Sequence, residues 1–139
     1  MIQKFQQARW ADFNEQSESL ISFSGELPIQ MSHSDGTARF LVADTSLPEK
    51  FGADLVRFEA GRGVGLHTHV GAHILLVTKG KGILTYGEEK FAMFEGMIYL
   101  IPSNTPHAID AETELVLIAI GNDHQPADSE SRLEIVEKA

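Results

Sequence analysis

The feature that most narrows the fold is a series of short apolar runs between residues 39 and 121, each closed by Gly, Pro, Asn or an acidic turn. They read RFLVADT (39–45), ADLVRFEA (53–60), HILLVTKG (73–80), GILTYG (82–87), KFAMF (90–94), MIYLIP (97–102) and ELVLIAIG (114–121). Val, Ile, Leu and Phe dominate them, and none sustains a helical period. Short strands at such regular spacing predict an all-β sandwich or barrel. In 53–60 the alternation of Leu55, Val56, Arg57 and Phe58 predicts a strand with one wet face. KGKG (79–82) reads as a β-turn and GEEK (87–90) as a solvated hairpin tip.

A chain of 139 residues has the usual size of one domain, about 100–150 residues. Residues 1–139 are read as a single unit with an N-terminal arm (1–38), a barrel core (39–121) and a C-terminal segment (122–139). The arm is polar and weakly patterned, with room for a short strand and a helical turn near residues 10–20, and Trp10 is expected to cover one end of the core. The C-terminal segment opens as a polar loop and ends in RLEIV (132–136), which is expected to add an edge strand or pack on a partner subunit.

There is no cysteine. Disulfides, thiolate metal sites and thiol nucleophiles are therefore excluded, and a reducing compartment fits. Twenty acidic against eleven basic residues give a formal charge of −9, which disfavours nucleic acid and anionic membranes as partners. The apolar stretch Leu115–Ile120 is far short of the ~20 residues of a membrane span. The opening MIQKFQQARWADF has no signal-like apolar region. A soluble, cytoplasmic protein is expected.

Histidines carry the chemistry. Three of the six fall within seven residues, as His67-x-His69-x3-His73 in GRGVGLHTHVGAHILLVTKG (61–80). Along a strand, residues two apart share a face, so His67 and His69 point the same way. His73 has the same parity, with Gly71 able to bend the strand between them. One histidine on an apolar face is ordinarily a packed core residue. Three that converge cost roughly 1–3 kcal/mol each in desolvation if they share no partner, and a metal ion relieves that cost. A fourth, His107, lies in EGMIYLIPSNTPHAI (95–109), where Pro102 and Pro106 set the turns before it.

The first stretch resembles the first motif of the cupin superfamily, with Gly61, His67, His69 and Gly80 in register. The second resembles the second motif through Gly96, Pro102 and His107. The resemblance covers residues 39–121. It implies a double-stranded β-helix barrel, a jelly-roll-like fold. It also implies one divalent transition metal ion (iron, manganese, nickel, copper or zinc) on His67, His69, His73 and His107, and a homodimer. His73 stands where the family carries glutamate, which leaves a more cationic site, of formal charge +2 with a divalent ion. Met93 and Ala111 replace a usual proline and asparagine. Members resembling this chain include dioxygenases, isomerases, lyases and cyclases, so the implied function is a metal-binding protein that acts on or binds a small molecule, an oxygenase or isomerase/lyase-type enzyme. The alternative is a non-catalytic ligand-binding or sensor module with a structural metal or none. Which residues would be catalytic is left open.

The other candidates are weaker. Gly61, Gly63 and Gly65 lack phosphate-loop spacing. His33 and His124 lie in polar loops and read as surface residues, although GNDHQPAD (121–128) leaves His124 a rim role. Tyr86 and Tyr99 read as core or rim packing, and Arg39 and Arg57 as solvent-facing.

Overall fold

The computed structural model describes residues 5–8 and 29–136. Trp10 and the expected strand and helical turn around residues 10–20 lie outside the described residues. Within them the apolar runs form strands and no helix. In chain order these are β1 (Ile29–Gln30), β2 (Thr37–Asp44), β3 (Phe51–Phe58), β4 (Gly63–Thr68), β5 (His73–Lys79), β6 (Lys81–Tyr86), β7 (Glu89–Phe94), β8 (Ile98–Ile101), β9 (His107–Ala111), β10 (Leu115–Gly121) and β11 (Glu134–Ile135).

They assemble into two antiparallel sheets, ordered β1-β2-β3-β10-β5-β8 and β11-β4-β9-β6-β7. The pairing is nested about the β6–β7 turn. β6 pairs with β7, β5 with β8, β4 with β9 and β3 with β10, like one long hairpin rolled onto itself. The inward faces make the main core, in which Phe58, Val77, Met93, Ile101, Leu115 and Leu117 are almost fully buried. The fold is the all-β barrel that the runs predict.

Two local features position the site. Between β5 and β6, Gly80 has φ +89, and a Cβ there would collide with the Glu114 carbonyl. Only glycine makes that reversal without strain. RLEIV does add an edge strand, with Ile135 opposite His67 and Glu134 opposite Thr68.

The expected wet face of 53–60 is not found. Ala53 and Leu55 are buried with Leu41 and Ile118 in a second apolar cluster, against which Ala8 also packs. That cluster lies on the opposite side of the six-stranded sheet from the main core, because Leu117 and Ile118, successive on β10, belong to different clusters. Arg39, expected to face solvent, is 4% exposed, and Arg57 is half-buried and paired with Glu114 at 2.5 Å.

Candidate metal centre

His67 and His107 are cross-strand partners on β4 and β9, so their side chains emerge side by side. Their ring centroids lie 4.1 Å apart. His69 follows just past the end of β4 and brings its Nε2 to 3.1 Å from Nε2 of His107. Ligand nitrogens of these three buried residues all lie within 4.8 Å of one another. The loop that delivers His107 is tied to the loop that carries His69. The Asn104 amide donates to the His69 carbonyl at 2.8 Å, and the Ser103 hydroxyl donates to the Val70 carbonyl.

Each of the three rings is anchored through Nδ1. His67 reaches the Gly65 carbonyl at 2.8 Å, His69 the Gly71 carbonyl at 2.6 Å and His107 the Thr105 carbonyl at 2.8 Å. A carbonyl can only accept, so each Nδ1 carries the proton and each Nε2 presents a lone pair. Burial opposes a second proton. It pushes His67 down to about 4, against the Gly65 carbonyl that favours the charged form. It pushes His107 down to about 3, with the nearby His67 charge adding to the effect, and lowers His69 as well.

The 3.1 Å approach of His69 and His107 therefore sets two lone pairs against each other, an arrangement that calls for a shared cation. A metal ion fits. Metal–nitrogen bonds of about 2.0–2.1 Å at octahedral or tetrahedral angles place neighbouring ligand nitrogens about 2.9–3.4 Å apart.

His73 arrives differently from its strand-parity reading. The chain leaves the five-stranded sheet after β4 and enters the six-stranded sheet at His73, the first residue of β5. Gly71 lies at this crossing, where a Cβ would collide with the Asn122 carbonyl. The His73 ring lies against His69, with centroids 4.1 Å apart and planes at 31°. It stands outside the three-residue group. Burial, then the charges of His69 and Arg132, push it down to about 3. Among the described residues nothing hydrogen-bonds its ring.

Across from His73 lies a group that sequence reasoning missed. Asp54, 5% exposed, projects inward from β3. It accepts from His124 Nε2 at 2.9 Å and from Arg132 Nη1 at 3.0 Å. His124 is therefore no surface residue, its side chain being 13% exposed. Its ring lies over Gly52, where a Cβ would approach Cδ2 to 2.7 Å. The signals were the GNDHQPAD loop and an aspartate on the inward parity of an apolar run. His33 is on the surface as expected, paired with Glu130 at 2.9 Å. Tyr86 and Tyr99 pack against the core, as expected.

Two facing antiparallel sheets with a buried imidazole cluster inside one end define an all-β barrel of the metal-site type. The cupin domain family model matches residues 54–121, just under half of the chain. Solved structures agree on the fold. The chain resembles a predicted oxalate decarboxylase from Thermotoga maritima, at 19% identity over 68% of this chain and 90% of that one, with a TM-score of 0.61. It resembles the polyketide cyclase RemF from Streptomyces resistomycificus at 16% identity, 80% and 78% coverage and a TM-score of 0.63. It also resembles a point mutant of salicylate 1,2-dioxygenase from Pseudoaminobacter salicylatoxidans at 19% identity, 68% and 28% coverage and a TM-score of 0.57. No curated protein matches the chain by sequence. Among the described residues no helix is long and apolar enough to cross a membrane.

Proposed function

We propose that this chain is a metal-dependent cupin that acts on a small molecule. One divalent transition metal ion sits on His67, His69 and His107, and His73 completes the set from the opposite sheet. The observation that carries this reading is the 3.1 Å approach of two Nε2 atoms whose rings already donate hydrogen bonds from Nδ1–H to carbonyls. An all-imidazole donor set suits iron, nickel, copper or zinc over magnesium or calcium. When bound, such an ion supplies Lewis acidity and a more acidic bound water. The chain's own part is to hold the imidazoles neutral, aim their lone pairs and shelter them from bulk water. An oxygenase or an isomerase/lyase-type reaction is the class we assign. It is supported by fold neighbours named as a dioxygenase, a decarboxylase and a cyclase, and their fold alone does not select among these chemistries.

We assign a homodimer as the working state, supported by the exposed apolar residues Ile74 (40%), Ile98 (61%) and Leu100 (67%) on the outer face of the six-stranded sheet. The cysteine-free sequence supports a cytoplasmic location.

Elemental analysis of protein purified without tag or chelator, beside His69→Ala and His107→Ala, tests the centre. Near-stoichiometric metal in the parent and its loss from both folded variants are expected. A folded His69→Ala that keeps one ion per chain overturns the reading. His73→Ala at wild-type affinity would reduce the centre to three histidines.

A second reading, a ligand-binding or sensor module with a structural metal, is favoured by the His73 ring lying 4.1 Å from that of His69, because four imidazoles would close a tetrahedral ion. Metal removal separates the two readings. A structural ion takes the fold with it, and an exchangeable one leaves a folded barrel.

A further inference from the structure

Residues 122–136 lie beyond the family match and run across the mouth of the barrel from one sheet to the other. The Asp123 and His124 amides donate to the Glu49 and Lys50 carbonyls of the β2–β3 connection, and the Ser32 amide donates to the Ala127 carbonyl. Leu133 enters the main core, and β11 then joins β4 beside His67. This strap carries Arg132 to the small cavity that His69 and His73 wall on its other side.

Arg132 is only partly used. Its Nη1 donates to Asp54 Oδ2 at 3.0 Å and to the Gln125 carbonyl at 2.9 Å. A guanidinium has five N–H donors. The three on Nε and Nη2 have no acceptor among the described residues. Asp54 fixes the guanidinium in place through Nη1 and has His124 on its other oxygen, so both carboxylate oxygens are engaged and the Nε and Nη2 donors remain for a ligand.

The charges agree. Arg132 and Asp54 cancel, Asp123 at the cavity edge adds one negative charge, and a divalent ion on the histidines adds two positive ones. The balance favours a ligand with a single negative charge. A cavity of about 20 Å³ excludes all but the smallest ligands.

We propose that Arg132, seated by Asp54, is a specificity-determining residue that receives a small monoanionic oxygen ligand, a carboxylate head of formate size, next to the histidine cluster. The guanidinium takes the anion through its free N–H donors while a ligand oxygen faces the metal. This rests on the metal reading above, and the strap puts that selectivity outside the part of the chain shared with the family.

The test is formate titration of the cobalt(II)-loaded full chain, read by the visible spectrum and by calorimetry. Arg132→Gln should bind cobalt as before and lose about tenfold to a hundredfold in formate affinity, the weight of hydrogen bonds to a charged group. Arg132→Lys keeps a cation on Asp54, and so keeps the strap seated even where the Gln variant fails to fold. Its formate affinity should still fall, because one ammonium cannot serve Asp54 and the anion with the same geometry. Folded, cobalt-loaded variants that bind formate as tightly as the parent overturn the proposal. A parent that takes up no cobalt sinks the metal reading instead. Calorimetry on the metal-free chain then decides the Arg132 site, with formate binding lost in Arg132→Gln supporting it and no binding overturning it.

Discussion

A neutral imidazole buried with its Nδ1–H already engaged in a hydrogen bond can do one further thing, which is to donate its remaining lone pair. Three residues of this barrel are in that state, and the burial that readies them for an ion makes the metal-free protein sensitive to acid. Two of them, His67 at about 4 and His107 at about 3, lie below the ordinary 6.5, as does the neighbouring His73 at about 3. Between those limits the unfolded chain binds protons that the folded chain refuses, so stability falls as the pH drops through that window. The urea midpoint of the metal-free protein should decline from about pH 6.5 downward, more steeply than a single proton allows. A midpoint unchanged between about pH 7 and about pH 4.5 would contradict this. Residue identity alone announced these histidines. It could hint at Asp54 and His124 singly but not join them with Arg132, since pairs 70 and 78 positions apart meet only once the sheets are formed.

At the scale of the element, the join between β4 and β9 decides whether His67 and His107 face each other. A bulge interrupts that join between Val64 and His67. Gly63 lies against the Ile109 carbonyl with no room for a Cβ, whereas Gly65 has nothing within 4 Å. Gly63→Ala should therefore push the strands apart, costing about 1–3 kcal/mol by overpacking and weakening metal uptake. Gly65→Ala should stay within about 0.5 kcal/mol of the parent. Urea melts and a metal titration on both variants check this, and equal behaviour would rule out the close approach as the cause. The strands themselves were largely legible, because runs such as HILLVTKG and ELVLIAIG carry unbroken apolar character. β9 was not. Its sequence HAIDA is short and broken by an aspartate, and its strand state comes from the partners β4 and β6 on either side. The switch of sheets between His69 and His73 was hidden for a related reason. Parity along one strand says nothing once a glycine turns the chain.

The whole molecule presents apolar surface on both sides of its larger sheet. In register across the outer face run Leu55, Ile118, Leu76 and Ile98, and beside them Ala53, Ile120, Ile74 and Leu100. Toward β3 these rows are buried, and toward the edge strand β8 they are open. A one-faced core would leave polar residues there, which is why 53–60 could not be read correctly from alternation alone. If a second copy covers the open end, Leu100→Glu places a charge in the contact. Light scattering on the eluting protein should then show a dimeric parent and a monomeric variant that keeps its metal. A dimeric Leu100→Glu would move the contact elsewhere. The nested pairing about the β6–β7 turn also sets an order of events in time. Each pair outward from that turn encloses a longer loop and so closes at a higher entropic cost. The seat for the ion needs β4 beside β9, well outside the first pairs to close. An ion that can settle only on a nearly finished barrel cannot template its assembly. Bound there, an ion would act instead as a bolt on the finished barrel, slowing escape from the native state and leaving the rate of arrival unchanged.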